Sequence, residues 1–173
     1  LDDDKRELTG IATTPEPDRH GDVVETAGAR FAPVIPLLWQ HRSDAPVGDA
    51  RLGKPTKSGI PFTATIARID EPGVLKDMLD LAWQSVKARL VKGVSIGFRS
   101  LAHDYMSEGG IRFKELEIFE LSVVTIPANA SATIQSIKAW GGAHNLTDGS
   151  VRLLAAQRPL PVDMKGAVKL LRP

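Results

Sequence analysis

Hydrophobic and polar positions alternate with a period of two over much of the first 130 residues, and turn residues cut the alternation into short runs. "ELTGIAT" (7–13) alternates moderately, and "PEPDRHGD" (15–22), with two prolines and a glycine, reads as a loop. "VIPLLWQH" (34–41) is an apolar run with a polar end, followed by the loop-like "RSDAPVGD". In "GIPFTATIARI" (59–69), Ile60, Phe62, Ala64, Ile66 and Arg68 share one parity, while Thr63, Thr65 and Ala67 share the other. That pattern predicts a half-buried strand. The period then changes. Val74, Met78, Ala82, Val86 and Leu90 recur every four residues, with Leu75, Leu79 and Leu81 widening the stripe. Lys76, Asp77, Asp80, Gln84, Lys87 and Arg89 cover the other side. Asp70 and Pro72 as start signals and Gly93 as a stop predict one long helix around 73–91.

Strand signals resume after this helix. "VSIGFRSLAHDY" (94–105) and "IRFKELEIFELSVVTI" (111–126) flank the turn-like "MSEGG" and predict a long hairpin. "PANASA" (127–132) ends it, and "ATIQSIKAW" (132–140) reads as a short helix. The expected organisation is a main domain over 1–140, a flexible linker over 141–150 and a separate tail over 151–173. The tail is apolar, with five basic residues and one acid, Asp163, and is expected to dock on a partner. The fold class is mostly β with helices, β or α+β.

Composition narrows the function classes. The 173 residues have a net charge of +1, which gives no general electrostatic support for binding nucleic acid or a membrane. There are no cysteines, so neither a disulfide framework nor a thiolate nucleophile is available. No run of about 18 apolar residues predicts a membrane span. The opening "LDDDKRELTG" is charged, has no signal-peptide core, and is expected to be either an artificial boundary or a trimmed terminus. His20, His41, His103 and His144 lack the spacing of a helical metal site, and no phosphate-binding glycine motif occurs. No cofactor or metal is expected.

Nucleophilic chemistry remains. In "GVSIGF" (93–98) bulky and small residues alternate strictly. Val94, Ile96 and Phe98 are expected to face the core, and Gly93, Ser95, Gly97 and Arg99 the other side. Glycine on either side of Ser95 leaves room for a substrate backbone, although close packing against another element explains the same pattern more simply. His41 stands at a strand end beside a loop, where it can serve as a base or as an ordinary surface histidine. Glu120 lies in "EIFELSVVTIPAN", where Ile118, Glu120, Ser122 and Val124 share one parity. A carboxylate in so apolar a run needs a partner such as an imidazolium, or else is an edge-strand charge. The letters Gly93-Val94-Ser95-Ile96-Gly97 also match GxSxG, but that motif needs a strand, a sharp turn and then a helix. Here a helix precedes the serine and a strand follows.

Taken together, "DRHGDVV" (18–24), "LLWQH" followed by "PVG", "KGVSIGF" and "ELSVVTIPAN" resemble, in order, the signature blocks of the HK97-type phage prohead (capsid maturation) serine proteases. The resemblance spans roughly residues 8 to 135. It implies an antiparallel β-barrel of herpesvirus-protease type flanked by helices. It also implies a triad: Ser95 as nucleophile, His41 as base and Glu120 as the third member. Glu115 and Glu117 are rivals of the opposite parity, and His20 is another candidate third member. Ser122 shares the face of Glu120. The substrates implied are the major capsid protein with its scaffold region and the protease itself, inside the procapsid in the host bacterial cytoplasm. A homodimer burying apolar helix surface is expected by the same analogy. The alternative is a catalytically silent scaffold or capsid-assembly module with the same fold.

Overall fold

The computed structural model describes residues 5–139 and 142–145. Among these, ten strands form one sheet: β1 (Glu7–Thr13), β2 (Val23–Val24), β3 (Ala29–Phe31), β4 (Ile35–Trp39), β5 (Arg42–Leu52), β6 (Ile60–Ile66), β7 (Gly93–Tyr105), β8 (Ile111–Val124), β9 (Ile134–Ala139) and β10 (Gly142–Asn145). The order is β10-β9-β1-β6-β5-β4-β8-β2, with β3 and β7 also pairing with β8. The tail over 151–173 lies outside the described residues. Of the segment expected as a linker, Gly142–Asn145 pairs antiparallel with β9, and the remainder is outside them.

The fold is β-rich as expected, but the antiparallel barrel flanked by helices is not formed. The sheet is open and mixed, and the described residues hold one α-helix, α1 (Val74–Lys87). The reason lies in β8. Its 14 residues are long enough for β2, β3 and β4 to run beside it one after another in the same direction, giving three parallel pairings. Along its other edge β8 pairs antiparallel with β7 in the predicted hairpin. An isolated bridge, Gly93 to Thr133, joins the start of β7 to the approach of β9 without closing the sheet.

The alternation read in 59–69 is realised in β6, where Ile60, Phe62, Ala64 and Ile66 are buried and Thr63 and Thr65 are exposed. They join Leu8, Leu37, Val47, Val94, Leu116, Ile118, Leu121 and Val123 in one core. The helix closes one side of that core. Its buried face is Leu79, Ala82, Trp83 and Val86, turned from the predicted stripe, so Val74, Leu75 and Leu81 remain exposed. It stops before Gly93: Arg89, at φ 59°, takes the left-handed position. The Arg89 and Leu90 N–H groups donate back to Val86 and Ser85, closing a Schellman-type end.

Two further expectations change. The segment read as a short helix over 132–140 is instead β9, paired with β1 from Glu7–Lys138 to Gly10–Ile134. Its isoleucines, Ile134 and Ile137, are buried there, so tertiary pairing decides the conformation. The "RSDAPVGD" segment after His41 is not a loop but the start of β5. Its proline and glycine are absorbed by the sheet. Pro46 sits opposite Leu38 at a register shift. At Gly48 a Cβ would meet the Thr65 carbonyl oxygen at 1.8 Å, so glycine permits the close approach of β6.

Candidate active site

His41 occupies the second position of a two-residue hairpin. Trp39 pairs with Arg42, and the intervening Gln40 and His41 have φ of 55° and 58°. These are left-handed values at both central residues, as in a type I′ turn, which usually carries Asn-Gly. Each such non-glycine residue costs roughly 1–2 kcal/mol, and conformations of this kind persist where their surroundings hold them. Here the surroundings are the end of β8 and the residue after it. The Gln40 N–H donates to the Val123 carbonyl at 3.0 Å. The His41 N–H donates to Ser122 Oγ at 3.1 Å.

The His41 ring is thereby turned toward Glu120, with Nδ1 2.7 Å from Glu120 Oε1. Glu120 is buried, and its second oxygen accepts a hydrogen bond from Ser122 Oγ at 2.8 Å. Ser122 is itself fully buried and joins the two partners, receiving the His41 N–H and donating to the Glu120 carboxylate. With Nδ1 engaged by the carboxylate, Nε2 is the ring nitrogen free to exchange a proton.

A bulge gives Glu120 its place. Gly97 pairs with Glu120 and the next residue, Phe98, with Ile118, so Phe119 is the extra residue on β8. The parity read along 111–126 therefore breaks at Phe119. Ile118 belongs to the core with Leu121 and Val123, rather than to the Glu120 face. The parity argument against Glu115 and Glu117 fails for the same reason, but both are engaged elsewhere: Glu115 with Arg30 at 2.6 Å and Glu117 with Arg99 at 2.5 Å. His20 is exposed, in the turn bounded by Asp18 and Asp22.

Ser95 lies within β7, directly opposite Ser122, and cross-strand partners project to the same side. It is buried. The two glycines beside it serve a purpose that the sequence pattern left open. A Cβ on Gly97 would meet Glu120 Oε1 at 2.2 Å, and one on Gly93 would meet the Pro127 ring at 2.8 Å. The empty positions are filled by the chain's own carboxylate and proline, so they are not an open floor for a substrate backbone. Space lies instead beside Ser95 in a cavity bordered by Ile96, Phe98, Asn129 and the acidic Glu16, Asp18 and Asp22.

Of the residues singled out in the sequence, His41 and Glu120 are in direct contact, and Ser95 is on the same face one strand away. Gln40 gave no sequence signal, because a Gln-His pair does not read as a hairpin turn. The arrangement is therefore an imidazole–carboxylate pair on the face of the sheet that also carries Ser95. The chain belongs to the caudovirus prohead serine protease family, whose model matches residues 23–145. It is 53% identical over 139 residues to the capsid polyprotein of Pseudomonas phage PAJU2, covering 80% of this chain and 21% of that protein. It is 27% identical over 149 residues to the prohead protease of Escherichia phage T5, covering 82% of this chain and 67% of that protein. The chain thus spans about a fifth of the PAJU2 relative.

Proposed function

We propose that this chain is a serine endopeptidase of capsid maturation that uses Ser95 as nucleophile, His41 as base and Glu120 as the group that orients His41. The observation carrying the proposal is the 2.7 Å contact between His41 Nδ1 and the buried Glu120 carboxylate, on the face of the sheet that Ser95 shares. Ser95 Oγ attacks the scissile carbonyl as His41 Nε2 takes its proton. The protonated ring, stabilised by Glu120, returns that proton to the leaving amine. Water then enters as the second nucleophile, giving its proton to the same nitrogen, which passes it to Ser95 Oγ as the bond from Oγ to the acyl group breaks. A small cavity of about 40 Å³ lies beside Ser95.

The substrates proposed are the capsid protein with its scaffold region and the chain's own precursor, cleaved inside the procapsid in the bacterial cytoplasm. Family membership and the capsid polyprotein relative support this choice. The test is coexpression with the capsid precursor of the same phage genome. The active chain gives shortened capsid protein by mass spectrometry, and Ser95→Ala leaves the precursor at full length. Normal processing by a folded Ser95→Ala protein would remove the nucleophile assignment.

A further inference from the structure

We propose that Gln40 is a positioning residue for His41, acting as a side-chain clamp between the hairpin tip and Thr125. The proposal rests on the reading of His41 as the catalytic base. Trp39, the last residue of β4, pairs with Val123. Beyond that point β8 ends at Val124 and the hairpin turns away, so the parallel ladder has no further rung. The Gln40 side chain continues it. Its Nε2 donates to Thr125 Oγ1 at 3.0 Å, and its Oε1 accepts the Thr125 N–H at 3.3 Å. Both ends of one amide are thus used on one residue of the neighbouring segment. Together with the Gln40 N–H to Val123 and the His41 N–H to Ser122, four hydrogen bonds hold two consecutive residues in the left-handed region.

Turn formation alone does not explain this residue. Glycine or asparagine satisfies the left-handed backbone better than glutamine does. What glutamine adds is the reach to Thr125. Its loss leaves the hairpin intact and lets its tip swing. His41 stands on that tip, so its ring drifts relative to Glu120 and Ser95.

The test uses Gln40→Gly and Gln40→Asn, which suit the turn but cannot reach across as glutamine does, together with Thr125→Val and Gln40→Glu. The readout is the saturating rate of Ser95 labelling by a fluorophosphonate, with the melting temperature measured alongside. Gln40→Gly and Gln40→Asn are expected to melt at the wild-type temperature or above it. Their labelling is expected to slow about 10- to 100-fold, with little change in the half-saturating reagent concentration. Thr125→Val follows them. Gln40→Glu keeps most of the rate, because the Thr125 N–H and hydroxyl both donate to a carboxylate. Wild-type labelling in Gln40→Gly overturns the proposal. If the unaltered chain is not labelled at all, the reading of the active site fails instead. The clamp is then judged by proton NMR, where the hydrogen-bonded His41 Nδ1 proton is expected to sharpen with Gln40 and broaden with glycine. An identical signal in both overturns it.

Discussion

Gly97→Ala is a single-methyl change whose consequence follows from the position of one carboxylate. An added Cβ would lie 2.2 Å from Glu120 Oε1, 2.6 Å from its Cγ and 2.7 Å from its Cδ. Ordinary contact begins at 3.4 Å, so Oε1 must retreat by about 1.2 Å. That oxygen holds His41 Nδ1 at 2.7 Å. A retreat directed away from the ring stretches the contact to about 3.9 Å, beyond hydrogen-bond range. Glu120 cannot rotate freely, because its other oxygen is tied to the buried Ser122. Overpacking of this kind costs about 1–3 kcal/mol of stability. Loss of the His41 contact is expected to lower the hydrolytic rate about 100-fold, as geometric errors near 1 Å do in enzymes. The assay is capsid-precursor cleavage together with a thermal melt. Gly93→Ala is the control, since its Cβ meets Pro127 and leaves Glu120 alone. It is expected to lower stability with a much smaller loss of rate. A folded Gly97→Ala protein that cleaves at the wild-type rate would refute the account of Glu120.

Ser122→Ala leaves the His41 N–H and one Glu120 oxygen without their partner. A loss of about 1–3 kcal/mol is expected in urea unfolding, with slower cleavage, and unchanged stability would contradict the buried network. Away from the site, Lys76 and Arg6 hold the Asp80 carboxyl below the usual carboxylate range. A depressed folded-state pKa adds stability above the unfolded-state value, and that stability is lost as pH falls through the folded-state value. Asp80→Asn is therefore expected to melt lower than the parent near neutral pH and to converge with it in acid. Parallel melting curves across that range would exclude the ion pair as a contributor.

The elements legible in the sequence were those whose burial follows one unbroken period. β6 satisfies a strict period of two and the β7–β8 hairpin is bounded by clear turn residues, so both formed where expected. The helix position was also legible, but its buried face was not. Trp83 had no place in the predicted stripe, yet it packs into the core while Leu81 faces out. Where periodicity is interrupted, the reading failed for physical reasons. Phe119 bulges out and reverses the parity of Glu115 to Ile118 before it in β8, and a second irregularity follows at Lys114. Pro46 and Gly48 look like loop residues until β4 and β6 flank them. β9 depends on β1, which is more than a hundred residues away in sequence.

At the candidate site, Ser95, His41 and Glu120 were singled out through the sequence blocks around them, and the structure brings His41 and Glu120 into contact. Their support was not legible in the sequence. Gln40 and His41 adopt a turn conformation that neither residue type announces. The meaning of Gly97 required Glu120 to be placed above it, since the sequence pattern alone favoured close packing without naming the group that packs there.

Covalent capture of the nucleophile tests the central claim most directly. The chain is treated with a fluorophosphonate, digested and mapped by mass spectrometry, with His41→Ala treated in parallel. The account predicts one modified serine, Ser95, and loss of the modification in His41→Ala. Labelling at a different serine, or equal labelling of Ser95 without His41, would contradict it.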